Sequence, residues 1–267
     1  MRGKRCAQIY GLVAIGTRTG CFPTKRLVEG QRLYDAVEIS FSETQEGSEG
    51  SYYEVLRQHP NSRFLGMKIP LHFYLLVSPQ ALNRALERRK AKGKEEGGIR
   101  WWLTNRMGEA PVIYDASLAE RSRQNLESLA RRSGFLDATC EARLDSVKKQ
   151  RIRVQYHLEM NKRWYIASWN WQTEGSGLEL AEELLDAYLE PNAPFEVRSL
   201  DALRTTFASS LRNAGFPTVQ ESHIAFVADT SHTELGQLAR VTIQMLPFDY
   251  DVNGHPIPHV PARFGTI

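Results

Sequence analysis

Residues 151–171 read Arg-Ile-Arg-Val-Gln-Tyr-His-Leu-Glu-Met-Asn-Lys-Arg-Trp-Tyr-Ile-Ala-Ser-Trp-Asn-Trp, and their pattern decides the fold. Ile152, Val154, Tyr156, Leu158 and Met160 fall on one side of an extended chain, and Arg151, Arg153, Gln155, His157 and Glu159 on the other. A strict period of two over this length predicts a strand with one face on a core and one in water. Asn161-Lys162 then reads as a turn. Trp164 to Trp171, aromatic and β-branched, reads as a fresh strand where the order of elements begins again.

Upstream of this stretch, Val37, Ile39 and Phe41 alternate with Glu38, Ser40 and Ser42, another half-buried strand. Residues 43–50 are a polar loop, and 51–59 a short helix stopped by Pro60. Residues 81–89 are helical, and 90–98 form a charged loop broken by glycines. Asp115-Ala116-Ser117 opens a helix, with Ser117 as cap, Glu120 at capping-box spacing and Gly134 as its stop. Cys140, Ala142 and Leu144 then alternate with Glu141, Arg143 and Asp145, and residues 146–150 turn into the strand at 151.

Downstream, residues 177–189 and 199–214 are amphipathic helices, the second ended by Gly215. Ile224, Phe226 and Ala228, then Ala239, Val241, Ile243 and Met245, mark two more strands. Gly134-Phe135 and Gly215-Phe216 each follow a helix led by Ser-Leu and precede two alternating strands, an internal repeat of pattern rather than identity. The expected fold is α+β: tandem β-α-α-β-β units, each a small mixed sheet covered by helices on one face. Residues 25–161 make the first unit, with an insertion around 67–108, and 162–248 the second. Residues 249–267 are a linker and the start of a third, truncated unit.

Composition limits the function classes. Across 267 residues, 34 Lys and Arg against 31 Asp and Glu leave a net charge of +3, too weak a bias to point to a polyanionic partner. Cys6, Cys21 and Cys140 show no metal-ligand or disulfide spacing. Neither a GxSxG, an HExxH nor a phosphate-binding glycine loop occurs, so no catalytic residue, cofactor or metal ligand is expected. His255 and His259 flank Pro256-Ile257-Pro258, which precludes the helical spacing of a zinc pair. Arg2, Lys4 and Arg5 followed by the apolar run at 9–16 give residues 1–21 the layout of an export signal. Gly20-Cys21 resembles the end of a lipoprotein signal, with Cys21 as the acylated residue, although Arg18 stands where such signals carry an aliphatic side chain. The greasiest later stretch, residues 69–77, is too short to span a bilayer as a helix.

Several phrases, in order, resemble the polypeptide-transport-associated (POTRA) domains of the BamA/TamA outer-membrane assembly family. His59-Pro60-Asn61-Ser62-Arg63-Phe64-Leu65-Gly66 resembles its KPN-x-(R/K)-x-(L/F)-G phrase. Gly108-Glu109-Ala110-Pro111-Val112-Ile113-Tyr114-Asp115 resembles its GE-x-P-V-I-x-D lead into the second helix. Ser133-Gly134-Phe135 and Asn213-Ala214-Gly215-Phe216 stand where the family has N-x-G-(Y/F), and residues 223–230 resemble Y-I-x-F-x-x-D-T. The resemblance runs from about Cys21 to Ile267 and departs from the family at Arg18 and in carrying no membrane barrel.

What the resemblance implies is a non-catalytic scaffold on the periplasmic side of the outer membrane of a Gram-negative bacterium. Its partners would be unfolded outer-membrane protein clients and periplasmic accessory proteins. It would meet the membrane through the missing C-terminal barrel or a lipid on Cys21, and no nucleic acid is expected. In the family the strand after the second helix is a sheet edge, where an extended client can add as a further strand. Carried over, those edges are Thr139, Cys140, Glu141, Ala142, Arg143, Leu144 and Asp145, and then Ser222, His223, Ile224, Ala225, Phe226, Val227, Ala228 and Asp229. Proline at Arg143 or Ala225 is the expected probe of such binding. The alternative from another class is a nucleic-acid-binding α+β module using the basic residues 84–94 and a stacking platform of Trp164, Tyr165, Trp169 and Trp171. The position of those aromatics at the turn between units favours core and junction packing over a stacking platform.

Overall fold

The computed structural model describes residues 24, 26–42, 50–148, 150–231 and 236–262. The expected export signal with Cys21, residues 43–49 and residues 263–267 lie outside them. Two compact units are present. The described part of the first lies within Met1–Ser40, Ser48–Asn125 and Glu141–His157, and that of the second within Phe41–Gly47, Leu126–Cys140 and Leu158–Ile267.

The first sheet has the order β1-β3-β2, from β1 (Leu33–Phe41), β2 (Thr139–Lys148) and β3 (Arg151–Glu159). The Leu33 N–H donates to the Gln150 carbonyl and the Ser42 N–H to that of Leu158, so the partners advance together and β1 runs parallel to β3. A parallel pair needs a long crossover, and helices supply it here. The alternation along β3 is realised: Ile152, Val154, Tyr156, Leu158 and Met160 are all buried. Burial of each such side chain contributes roughly 1.5–3 kcal/mol. Helix α5 (Ala116–Arg132) buries Ala119, Leu126 and Ala130, and the Tyr156 hydroxyl donates to the Ala119 carbonyl at 3.1 Å. Its cap is Asp115 rather than the expected Ser117. Asp115 Oδ1 accepts from the Ser117 N–H at 2.8 Å, the Ser117 hydroxyl at 2.7 Å and the Leu118 N–H at 3.3 Å. These bonds, the Ser117 hydroxyl foremost, hold the Asp115 carboxyl below its ordinary pKa.

Among the described residues four helices precede α5: α1 (Gly50–Glu54), α2 (Ile69–Leu76), α3 (Pro79–Lys90) and α4 (Ile99–Asn105). The expected insertion is thus helical, with α4 packed on α2 and α3. Leu71 and Leu75 of α2 bury against Leu33 of β1. The guanidinium of Arg26 donates to the carbonyls of Tyr74, Leu75 and Val77, orphan acceptors at the end of α2.

Two of the phrases that carry the family resemblance meet in space. Asn61, buried, donates from Nδ2 to the Ala110 carbonyl at 2.7 Å and accepts the Val112 N–H at Oδ1 at 3.1 Å. Glu109 accepts the Ser62 N–H and hydroxyl, and the Gln58 side chain bonds both the Ile113 carbonyl and the Asp115 N–H. Residues 112–114 are thereby held against β1. Ile113 bridges Leu33, the Tyr34 N–H donates to Val112, and the Tyr114 N–H donates to Arg32.

The second sheet repeats the order as β4-β6-β5, from β4 (Tyr165–Gln172), β5 (Ile224–Asp229) and β6 (Leu238–Met245). Strand β4 runs parallel to β6, with an irregularity between Ile166 and Ser168, and β5 runs antiparallel to β6. The crossover contains α6 (Ala181–Leu185), a 3-10 turn (Asp186–Tyr188) and α7 (Val197–Asn213). Leu185, Phe207, Leu211, Ile243 and Met245 lie in one buried cluster, and Trp164, Ile166, Leu200 and Val241 in another. Helix α6 is shorter than the expected 177–189, for a non-local reason. Gly177 has φ +74°, and a Cβ there would stand 2.3 Å from the His259 carbonyl oxygen, so this residue serves a close approach of two backbones.

The segment expected as a linker lies on the second unit over its described length. β7 (Asp249–Tyr250) and β8 (Pro256–Ile257) form a small antiparallel hairpin. Beyond it, the His259 N–H donates to the Ser176 carbonyl and the Ala262 N–H to that of Gly215, each at 2.7 Å.

Candidate functional site

In each sheet a short segment pairs with the start of one outer strand in the same way. In the first, residues 112–114, just ahead of the long helix α5, pair with the start of β1. In the second, residues 193–195, just ahead of α7, pair with the start of β4. There Pro194 bridges Tyr165, the Ile166 N–H donates to Ala193, and the Phe195 N–H donates to Trp164. The opposite edges, β2 and β5, have no strand beside them among the described residues. These are the strands after the long helices.

The register of β5 fixes which backbone groups face outward. Ile224 lies opposite Met245, and the Leu246 N–H donates to the His223 carbonyl at 2.8 Å. Hydrogen-bonded and non-bonded pairs alternate along an antiparallel ladder. The pairs Ala225–Gln244 and Val227–Thr242 therefore exchange bonds within the sheet, while Ile224, Phe226 and Ala228 turn N–H and C=O toward the open edge. One of these outward groups is satisfied: Arg204 of α7 donates from Nε to the Ile224 carbonyl at 2.9 Å. Arg204 is held by Asp201 at 2.6 Å and lies 5.5 Å over the Phe226 ring. The outward groups of Phe226 and Ala228 have no such partner among the described residues, which leaves a short length of edge ready for pairing.

Beneath it sits a layer of aromatic side chains. Phe207 of α7 is fully buried, and its ring centroid lies 6.3 Å from Phe226, 5.9 Å from Trp171 and 6.3 Å from Tyr188. Trp169 meets Phe226 edge-on at 6.5 Å. Trp164 is buried and donates from its indole to Asp137 at 2.9 Å. These three tryptophans pack against the second unit's clusters.

Of the residues expected on the open edges, Thr139–Asp145 lie in β2 and Ile224–Asp229 in β5. Ser222 and His223 do not belong to the strand: they lie in a 3-10 turn, Glu221–His223, where the Gln220 N–H donates to His223 Nδ1. Cys140 is buried, but Glu141, Ala142, Arg143, Leu144 and Asp145 are all exposed, so the alternation of β2 is not matched by alternating burial. Sequence reasoning missed Arg204. Leu203, Phe207 and Leu211 share a helical spacing that marks the buried face, but nothing local indicates that Arg204 reaches the strand.

Solved structures of POTRA domains are similar to this chain. The POTRA3-5 segment of BamA from Haemophilus influenzae shares 13% identity, over 82% of this chain and 68% of that one, with a TM-score of 0.38. POTRA1-2 of the periplasmic domain of Omp85 from Anabaena shares 11%, over 81% and 96%, with a TM-score of 0.35. POTRA1-3 of the same protein shares 11%, over 86% and 72%, with a TM-score of 0.36. No family model and no curated protein matches the chain. Among the described residues no helix is long and apolar enough to cross a membrane, and no group of three or more His, Cys, Asp or Glu could hold a metal ion.

One titratable cluster lies next to the start of β5. His259 is buried, and its Nδ1 lies 2.8 Å from the Thr218 hydroxyl. Among the described residues its Nε2 makes no hydrogen bond. The His223 ring lies 4.7 Å away and Phe248 5.9 Å. Burial first, then the neighbouring His223, lowers the His259 pKa from its ordinary 6.5. The unfolded chain therefore takes up a proton near pH 6.5 that the folded chain refuses. The stability due to neutral His259 is complete above that pH and is lost as pH falls toward the lowered value. Urea midpoints of the second unit are expected to drop between pH 6.5 and the carboxylate range near about 4. A His259→Gln variant should lose that slope, and an unchanged slope would assign it to another group.

Proposed function

We propose that this chain is the periplasmic region of a Gram-negative outer-membrane protein assembly or translocation factor. In this reading residues 25–161 and 162–248 form tandem POTRA units, and extended client polypeptide adds to β5, and to β2, as a further strand. The ordered phrases of the sequence support the family, and the open edge of β5 supports the mode of binding. That edge is the observation that carries the reading. Its outward N–H and C=O groups at Phe226 and Ala228 offer main-chain bonds, which suit clients of many sequences, and no catalytic step is required.

The register also corrects the probe. The Ala225 N–H bonds inward to β6, so proline there breaks the sheet itself and says nothing specific about a client. The Ala228 N–H faces outward, and proline on that side of an edge strand spares the ladder. Ala228→Pro is expected to keep a native circular dichroism spectrum while weakening an alternating apolar-polar barrel-strand peptide by about tenfold or more, read by fluorescence anisotropy. Unchanged affinity in the folded variant would remove β5 as the binding edge.

A further inference from the structure

The helical insertion of the first unit carries a surface that the strand edges do not involve. Residues 79–107 hold eight Lys and Arg against three Asp and Glu, a local excess above the net +3 of the whole chain. Arg84, Arg88 and Lys90 of α3, Lys92 and Lys94 of the loop after it, and Arg106 just past α4 are all exposed. None of these six forms an ion pair with another described residue. The three acids, Glu87, Glu95 and Glu96, are exposed too and offset only part of the charge.

Charge alone describes a solvated face, and α4 adds the second observation. Its buried residue is Thr104, whose hydroxyl donates to the Arg100 carbonyl at 2.9 Å. At helical spacing, the stripe opposite Thr104 is Ile99, Trp102 and Arg106. Ile99 is 75% exposed and Trp102 48%. A surface helix ordinarily turns its apolar stripe inward, and this one holds an isoleucine and a tryptophan out into water. The fold sets them beside the lysines. Arg89, in the last turn of α3, donates from Nε to the Glu95 carbonyl at 3.0 Å, and its side chain lies along Gly97 and Gly98, directly ahead of Ile99. Lys90, Lys92 and Lys94 therefore sit where the end of α3 meets the start of α4.

The pairing of the two features selects the occupant. Isolated apolar tips on the convex side of a helix need a pocket in a protein partner, and unpaired Lys and Arg need acceptors at fixed places. A fluid anionic bilayer meets any such arrangement. Tryptophan settles at headgroup level, an aliphatic tip enters the acyl boundary, and Lys and Arg reach the headgroups on long stems. A nucleic acid would match the charge but offers nothing apolar for Ile99 to enter.

We infer that the α3–α4 end of the first unit docks on an anionic lipid surface, with Ile99 and Trp102 in the interface and the surrounding Lys and Arg against headgroup phosphates. The site shares no residue with β2 or β5 and does not depend on client binding. Docking of this kind holds the unit against a membrane and leaves the open strands available.

The test is co-sedimentation of the full chain with vesicles of phosphatidylcholine alone and of phosphatidylcholine and phosphatidylglycerol in equal parts. The chain is expected to bind the anionic vesicles at least about tenfold more tightly, and to lose that preference in high salt. Ile99→Gln, at an exposed position, and Lys92→Glu with Lys94→Glu should each weaken anionic binding by about tenfold with circular dichroism unchanged. Lipids brominated in their tails should quench tryptophan fluorescence, and the quenching should fall in Trp102→Phe. Ala228→Pro should leave all of this unchanged, which separates the site from the β5 edge. Equal binding to both vesicles, or anionic binding that survives both Ile99→Gln and the charge-reversed variant, would overturn the inference. So would tight binding to soluble polyglutamate or single-stranded DNA that Ile99→Gln leaves intact, since the partner would then be an acidic protein or a nucleic acid.

Discussion

Phe207→Ala is expected to cost the second unit about 3–5 kcal/mol, the range for removing a buried aromatic from a core that relaxes only in part. Phe207 is fully buried on α7 and touches three aromatic rings, Trp171, Tyr188 and Phe226. Truncation removes the ring's apolar burial, leaves a cavity and forfeits the ring pairings, worth about 0.5–1.5 kcal/mol each. Since Phe226 lies in β5, the loss also loosens the open edge, and client binding should fall with stability. Chemical denaturation followed by tryptophan fluorescence gives the number. A cost below about 1.5 kcal/mol would mean that α7 does not carry this strand through Phe207.

Asn61→Ala is the second large effect, expected at about 2–4 kcal/mol from two backbone groups left unpaired, each worth roughly 1–3 kcal/mol. Among the described residues, Asn61 alone of the 58–62 stretch bonds the Ala110 carbonyl and the Val112 N–H. Its loss also loosens the lead that pairs with the start of β1, leaving it to the bonds of Gln58 and of Ser62 with Glu109. By contrast, Ser62→Ala removes a bond at an exposed position and should cost under about 1 kcal/mol. Comparable small costs for both would show that water replaces the Asn61 bonds without penalty.

The strands were readable because their signal is local and periodic. Along β3 every second side chain meets the core, so Ile152 through Met160 state their burial in the sequence itself. The same alternation in β2 was legible at Cys140 but not beyond it. Ala142 and Leu144 occupy core-like positions in the pattern, yet both are exposed, because burial also needs an element standing over that part of the strand. The end of the long helix at Gly134 was fixed by its own backbone, with φ +96°. The start of α6 was not, because Gly177 answers to His259, far along the chain.

Asp115 and Ser117 are both good cap residues two positions apart, and only the hydrogen bonds decide between them. Helix α4 was missed because Ile99–Asn105 follows paired glycines and is too short to show a period. The pairing of residues 112–114 and 193–195 with the starts of β1 and β4 is tertiary and leaves no local mark. Arg204 was illegible for the same reason, since its role is set by the Ile224 carbonyl across the helix–strand gap.

Amide hydrogen exchange across the second unit, with and without a barrel-strand peptide, tests the central claim most directly. Ala225 and Val227 donate within the sheet and should be protected in both states, whereas the Phe226 and Ala228 amides face outward and should exchange fast when the chain is alone. If the client adds as a strand, protection at Phe226 and Ala228 rises on addition of peptide while that of Ala225 and Val227 stays as it was. Peptide binding with no change at Phe226 and Ala228 would contradict strand addition at β5.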